Sequence, residues 1–552
     1  MVSIGQHRKA GEHPSRQTSS ARLIPSILFE RERSSQTALV CAETEAAFSY
    51  AELARMAKGL AVELQRNGVR ARERVAILLP PSIEFAAALF AALAADAVVV
   101  PLDIYVKRGD LLNILATIRP PILITNPSLH RKIGFELRQT TICHLEFSKF
   151  LSATFLRANA GRRRRRVRID DRKLCQAWHI PGMNPAEDAL LILSSGTTGL
   201  PKAVRLSHQA ILCNIRMHLE SLDIGESLRG LQLLPLNYSY GLVASFLSIL
   251  QTGGTVLLLS AADPGSVVAA SRRFDVNLVM GTPAMFRYLI EESPSASAFS
   301  ASPVRYLTIG GDRCKRYVLD LVSDRLPAAK LYVTYGLTEA GPRVSTSPPH
   351  FVKKLPESVG LPFREVEVLI LDGNGGRCAP GEPGEIVVST PSLMNGYFGD
   401  PERTQSVIRD GLCHTGDMGY LDERGFLYWL GRKDRQFKFG GRMVNPSCIE
   451  QCISSHPLVQ EVAVEKIDRA RDELICAKIM ARDAVKEDLL QDLKRLCTRY
   501  MPTYMVPGEF RFEDHDHYFT TRGRNSIRQG KRCPKSRCAS TPSMTRCKPR
   551  RH

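Results

Sequence analysis

Five times between Arg74 and Gly341 a short apolar run ends in a turn rich in Gly, Pro or Thr: RVAILLP, RPPILITNP, DVNLVMGTP, VRYLTIGGD and KLYVTYGLTEAG. Runs that are apolar throughout suit strands buried on both faces, and such strands belong to parallel sheets covered by helices. The segment SYAELARMAKGLAVELQRNG, with apolar residues at helical spacing and a Gly stop, is one such covering helix. The alternation holds from about Ala38 to Pro380, and ligands of such sheets sit at the C-terminal ends of the strands. From Arg364 to Thr390 the pattern changes to strands joined by Gly/Pro turns, a small β region. A further unit begins near Gly431, with a helix at about 446–455, strands at EVAVEKI and ELICAKIMA, and a helix at about 486–499 that puts Leu489, Leu493 and Leu496 on one face. The fold expected is α/β: a large N-terminal domain of parallel-rich sheets covered by helices plus a small β region, then a small mobile α+β C-terminal domain. The layout is a disordered leader over 1–29, a large domain over 30–432, a small one over 433–514 and a basic, disordered tail over 515–552.

The formal net charge of +19 is concentrated in three places. Residues 1–22 carry +3, the run Arg162–Arg168 carries +6 and residues 515–552 carry +10, so the body is neutral. Solvated tails and a surface loop (NAGRRRRRVRIDDRK) account for this better than a nucleic-acid groove, and no nucleic acid is expected as a partner. The 14 cysteines show no repeated CxxC spacing, and Cys448 and Cys452, four apart on one helix face, have no His pair at metal-ligand spacing. They read as reduced thiols of a cytoplasmic protein. No apolar segment follows the basic N-terminal residues, so no secretory signal is expected. The longest apolar stretch, FAAALFAALAADAVVVPL, is broken by Asp96 and Pro101 and reads as a buried helix running into a strand, with no integral membrane contact.

The stretch LILSSGTTGLPKAVRLSH runs from an apolar strand into Ser194, Ser195, Gly196, Thr197, Thr198 and Gly199, then Lys202. Small residues let backbone N–H groups approach a polyanion, hydroxyls add donors and the lysine adds charge. It is a phosphate-gripping loop by composition but lacks the GxxxxGK[ST] spacing of a Walker A loop. This loop resembles the TSGTTGxPKG signature of the adenylate-forming superfamily (acyl-CoA synthetases, aryl-acid ligases, peptide-synthetase adenylation domains and luciferases), with Ala203 in place of the last Gly. TYGLTEAG (Thr334–Gly341) resembles the YGxTE motif, and His414–Glu450 resembles the paired TGD and GRxKD…KxxGxxVxPxEIE motifs. All occur in the family's order, and the resemblance covers about residues 30–514.

The resemblance implies an AMP-forming acid–thiol ligase that consumes ATP with Mg²⁺, makes an acyl-adenylate and passes the acyl group to CoA or to the phosphopantetheine of a separate acyl carrier protein. It implies that Ser195, Gly196, Thr197, Thr198, Gly199 and Lys202 embrace the ATP phosphates, that Thr338 touches the AMP phosphate and that Glu339 holds the metal. Gly310, Gly311, Tyr335 and Gly336 would frame the adenine. Asp417 would accept both ribose hydroxyls, with Arg432 beside it. Asp434 falls at the family's hinge, Lys438 in the motif that follows it, and Gly441 where the pantetheine arm passes the backbone. Asn237, Tyr238 and Tyr240 lie in the segment that lines the family's acyl pocket; the absence of an acid there disfavours an α-amino acid and points to a fatty or aryl carboxylic acid.

The family ends its small domain with a loop resembling LPxTxxGKxxR, whose lysine enters the active site. MPTYMVPGEFRFED (Met501–Asp514) matches the approach to that loop, and the match then fails. Gly523–Arg524 stands near the position of Gly-Lys, but arginine's planar fork is not a compact point charge. From His515 onward there is no Leu or Val, so the segment cannot bury a face and is expected to be disordered. A shift of reading frame near Asp514 is the expected origin. An active ligase and a catalytically impaired nucleotide- or acyl-adenylate-binding relative both remain open on this reading, and a thioester-forming step from preformed acyl-adenylate is expected to survive impaired adenylation.

Overall fold

The computed structural model describes residues 23–133, 140–148, 151–156, 164–169, 182–194, 202–259, 263–291, 302–439, 442–468, 473–481 and 486–513. Its most apolar stretch forms the helix Ile83–Ala94, in which every residue but Glu84 is buried. Ser82 caps it by accepting a hydrogen bond from the Phe85 amide at 3.2 Å. The chain then enters the strand Val98–Pro101, buried along its whole length. No helix among the described residues is long and apolar enough to cross a membrane. The helix Tyr50–Arg66 packs against this one and starts with a reciprocal cap between Ser49 and Glu52.

Two sheets carry the large body. The first runs in the order Gly396–Tyr397, Lys202–Ser207, Asp188–Ser194, Val98–Pro101, Arg74–Ile77, Ile122–Thr125, Thr141–Phe147, Leu151–Leu156 and Arg164–Arg168. Its centre is parallel, and antiparallel strands flank it on both sides. In the second sheet, Thr37–Cys41, Thr255–Leu258, Arg229–Gln232, Leu278–Gly281, Tyr306–Ile309 and Lys330–Tyr335 are parallel. That sheet continues through Ser345–Ser347 and Ser358–Pro362 into Leu427–Arg432, Leu412–Leu421, Gly384–Ser389 and Glu367–Leu371, all antiparallel. The β region that the sequence sets apart is therefore hydrogen-bonded onto the parallel sheet, and this continuity brings Tyr335 to Asp417.

Two expectations are corrected. Residues 24–29 do not belong to a disordered leader: Ser26–Phe29 is a short helix, and Ile24, Ile27 and Leu28 are fully buried in the main core. Three large apolar side chains in six residues repay ordering that segment. Within the Arg-rich run, Arg164–Arg168 is a strand rather than a loop. Arg164–Arg168 pairs antiparallel with Leu151–Leu156; Val167 packs toward the core while Arg166 is exposed and reaches Ser152 Oγ. Arginines on a sheet edge block further strand addition.

The C-terminal unit has its own core of Val444, Ile449, Ile453, Ile475, Leu489 and Leu493. Strand Val459–Asp468 pairs antiparallel with Glu473–Ala481, which pairs parallel with Glu509–Phe512. Helices Pro446–Ser454 and Lys486–Tyr500 cover it; Leu489 and Leu493 are buried and Leu496 half-buried, as their spacing requires. Contacts to the large body include Arg287 Nη1 to Glu461 Oε1 at 2.8 Å, Lys315 Nζ to Gln460 O at 3.1 Å and Asn445 Nδ2 to Leu430 O at 3.2 Å. The cysteines among the described residues are free thiols.

Candidate active site

Tyr335 ends the last parallel strand, and its hydroxyl donates to Asp417 Oδ2 at 2.6 Å. Asp417 lies opposite Arg432 in the pairing of Leu412–Leu421 with Leu427–Arg432. Arg432 Nη1 donates to Asp417 Oδ1 at 3.3 Å and to Thr415 O at 2.9 Å. The Asp417 amide donates to Thr415 Oγ1 at 3.0 Å, which fixes the turn of backbone that presents the carboxylate. Only 5% of Asp417 is exposed. Burial raises its carboxyl above the usual range, and the Tyr335 hydroxyl and the Arg432 guanidinium pull it back toward the charged form. Burial, then the Asp417 charge, holds the Tyr335 phenol well above its ordinary value, so it stays a donor.

A cavity of about 280 Å³ opens beside this group, lined by Lys202, Glu339, Tyr397, Thr415, Gly416 and Arg432 among others. Tyr397 donates to Glu339 Oε1 at 2.8 Å, and the Met394 amide donates to Glu339 O at 3.0 Å. Lys202, the first residue of its strand, places Nζ 5.7 Å from the Tyr397 ring centroid, within cation–π range. The lining carries four cations, Lys202, Arg409, Arg432 and Lys433, against two carboxylates, Glu339 and Glu385. His414, also in the lining, is held below its usual pKa first by burial, so it adds no positive charge near neutrality. A pocket with that balance attracts a polyanion.

Thr338 and Glu339 stand on the short turn Thr338–Ala340 just past the strand end. Ser239 and Thr338 share a hydrogen bond of 2.8 Å between their hydroxyls, so the segment Asn237–Tyr240 adjoins that turn. The Tyr240 hydroxyl donates to Gly281 O at 3.1 Å, with Thr308 O at 3.2 Å. Tyr238 is half-buried and its phenol is raised first by that burial, then by Asp103. At Gly310 a β-carbon would lie 2.3 Å from Thr334 Oγ1, and at Gly336 one would lie 2.3 Å from Pro342 O. Both positions are glycine because neighbouring chain occupies the space. Gly311 faces Tyr240, whose Cδ1 would be 3.4 Å from an added β-carbon.

The structure thus gathers Lys202, Tyr335, Thr338, Glu339, Asp417 and Arg432, with Gly310, Gly311, Gly336, Asn237, Tyr238 and Tyr240 around them. Asp434 sits on the turn Lys433–Arg435, where its Oδ1 lies 3.5 Å from Arg432 Nε. Lys438 is exposed on the strand Phe437–Phe439 and does not line the cavity. Ser195, Gly196, Thr197, Thr198, Gly199, Gly441 and Arg524 lie outside the described residues, as does the tail. Sequence reading did not single out Tyr397 or Thr415. Thr415 stands inside the TGD motif and was there to be found; the only local sign at Tyr397 is a Gly–aromatic pair at a strand edge.

A family model described as AMP-binding enzyme matches residues 29–398. Feruloyl-CoA synthase of an Amycolatopsis species is 33% identical over 490 residues, spanning 88% of this chain and 93% of that protein. A long-chain-fatty-acid–CoA ligase of Bacillus subtilis is 28% identical over 489 residues, spanning 82% and 84%. Among solved structures, o-succinylbenzoate CoA synthetase of Bacillus subtilis, in complex with its acyl-adenylate intermediate, superposes with a TM-score of 0.74 at 26% identity, covering 89% of this chain and 94% of that one.

Proposed function

The chain belongs to the family of AMP-binding enzymes, and on that premise we propose that it is an ATP-dependent acid–thiol ligase. It activates a fatty or aryl carboxylic acid to an acyl-adenylate, releases pyrophosphate and transfers the acyl group to the thiol of CoA. The observation that carries this reading is the buried Tyr335–Asp417–Arg432 group, whose Arg432 lines a net cationic cavity. An acceptor-only carboxylate suits a ribose diol, and the cations beyond it suit phosphates. The relatives named for feruloyl-CoA synthesis and long-chain-fatty-acid–CoA ligation supply the acid and thiol classes.

In this reading Asp417 orients the ribose, Lys202 and the Ser195–Gly199 loop hold the phosphates, and Thr338 donates to the phosphate that stays with the nucleotide. A related synthetase, 25% identical, has been solved with ATP and magnesium ion. Glu339 fits Mg²⁺ here: its carboxylate lines the cavity and is steadied by Tyr397, and Mg²⁺ takes one or two carboxylates plus phosphate oxygens. No group of three or more metal-ligating side chains among the described residues offers an alternative cage. When bound, the ion neutralises phosphate charge. The small domain turns about Asp434 between half-reactions, carrying Gly441 toward the thiol's path.

Pyrophosphate release with a panel of carboxylic acids, with and without CoA, tests the proposal. Acid-dependent release lost in Lys202→Ala supports it; no AMP from any acid refutes it. One observation favours a second reading, an impaired relative that keeps the nucleotide site: the match to the family's lysine-bearing loop fails after Asp514, with Gly523–Arg524 only near the position of Gly-Lys. Thioester formation from a supplied acyl-adenylate, without ATP-dependent activation, would identify that case.

A further inference from the structure

Five buried polar atoms without a protein partner belong to three residues, of which Arg343 lies against Tyr240: Asn214 Oδ1, both ring nitrogens of His218, and Nε and Nη2 of Arg343. Native proteins leave few such atoms, and each one asks for a ligand, an ion or an ordered water. Asn214 and His218 stand one turn apart on the helix His208–Ser221, and Asn214 Nδ2 donates to Arg343 O at 2.8 Å. The Arg343 charge acts directly on His218. Arg343 is only 2% exposed.

The guanidinium carbon lies over the Tyr240 ring, 3.7 Å from its centroid, and Tyr240 is pinned by its bonds to Gly281 O and Thr308. Nη1 is satisfied by Pro342 O at 2.9 Å. The two unpartnered donors, Nε–H and Nη2–H, occupy one edge of the planar group and point the same way. Two parallel donors are the half of a fork that a carboxylate completes. No carboxylate among the described residues acts on Arg343; its burial and Tyr240 are what perturb it. Stacking on an aromatic face offsets part of the cost of a buried, unpaired cation, but not its missing hydrogen bonds. Burial, then the Arg343 charge, holds His218 well below its ordinary pKa, so it is neutral with one donor and one acceptor. Water would satisfy the hydrogen bonds and leave the charge uncompensated, whereas an anion answers both.

We propose that the unpartnered edge of Arg343, stacked on Tyr240, receives a second carboxylate of the acid substrate, remote from the carboxylate that is activated. This rests on the ligase reading above and narrows its substrate class to dicarboxylic acids activated at one end. The site acts by selection: an acid ending in a methyl group leaves the fork buried and unpaired.

The test uses acyl-sulfamoyladenosines, stable mimics of an acyl-adenylate, in pairs of equal length that end in a carboxylate or a methyl group. Calorimetry on the full chain needs no turnover, so it works even if activation is impaired. Within the best-binding pair the carboxylate form is expected to bind roughly tenfold to a hundredfold tighter, the range for hydrogen bonds to a charged group. Arg343→Met should abolish that preference, with the methyl-ended ligand binding at least as tightly as it does to wild type. Arg343→Lys, which retains charge without the fork, should restore only part of it. A melting temperature of Arg343→Met no lower than wild type would fit removal of an unpaired buried charge and show that the variant folds. Equal affinities in wild type, or a preference that survives Arg343→Met, would overturn the assignment. Failure of every analogue to bind would overturn the ligase reading beneath it, an outcome distinct from both forms binding equally.

Discussion

Replacing Asp417 by Asn separates what the site costs from what it does. The carboxylate accepts from the Tyr335 hydroxyl and Arg432, and burial raises its pKa above the value it has in the unfolded chain. A carboxyl raised in this way binds its proton more tightly when folded, so it costs stability as pH climbs from the unfolded value through the folded one. Asparagine carries no such cost. Arg432 loses an ion pair, but its side chain is 41% exposed and keeps Thr415 O at 2.9 Å and Asp434 at 3.5 Å. Asp417→Asn is therefore expected to melt at or above wild type near neutrality, with the two curves converging in acid. Nucleotide binding should move the other way. Exchanging charge-assisted hydrogen bonds to the ribose diol for weaker neutral ones costs about 1.5–3 kcal/mol, or about 10- to 150-fold in Kd for AMP. Calorimetry with AMP and 2′-deoxy-AMP closes a cycle: the variant should discriminate less between them than wild type does. A Kd for AMP within about threefold of wild type, against that expected loss, would refute the ribose assignment. A lower melting temperature at neutrality would refute the argument from burial.

Three further outcomes are expected. Tyr397→Phe removes the hydroxyl that steadies Glu339 and should raise the Mg²⁺ needed for half-maximal pyrophosphate release roughly 10- to 100-fold, as loss of a ligand's supporting partner does; an unchanged Mg²⁺ titration would count against Glu339 as the metal's carboxylate. Gly336→Ala puts a β-carbon 2.3 Å from Pro342 O and 2.7 Å from the Arg343 amide, which should destabilise by about 1–3 kcal/mol in a denaturant melt, and an unaltered midpoint would disprove the crowding. Arg524→Lys should speed acid-dependent ATP–pyrophosphate exchange by up to about 10²-fold if it restores a preorganised donor; no change would remove residue 524 from the active site.

The individual residues of the candidate site could be proposed from sequence because each sits in a short motif whose spacing is local. Their meeting was not. Tyr335 and Asp417 are 82 residues apart and touch only because Ser345–Ser347 and Ser358–Pro362 extend a parallel sheet into an antiparallel one. No periodicity in the chain announces that pairing. Tyr397 was invisible for a similar reason: its place comes from a two-residue edge strand opposite Val204 and Arg205. The arginine run was misread because charge argues for solvent and is silent on backbone pairing, whereas an edge strand satisfies both. Charge likewise hid Ile24, Ile27 and Leu28, which follow the basic N-terminal residues yet belong to the core.

The two cationic regions of this molecule differ in the property that decides what each can do. Around the cavity the cations have company: Lys433 reaches Glu385 at 2.8 Å while more than half exposed, and Arg432 shares Asp417 and Asp434. Exposed, compensated charges attract a polyanion at little energetic commitment, which suits a site that must take up a triphosphate and let pyrophosphate leave. Arg343 is only 2% exposed, and no carboxylate among the described residues acts on it. A site of that kind binds weakly whatever fails to complete it and rejects such ligands far more strongly than an apolar pocket rejects a misfit. Turnover and selection therefore fall to different cations, and substitutions at Arg343 are expected to change which acid is used before they change how fast the nucleotide is handled.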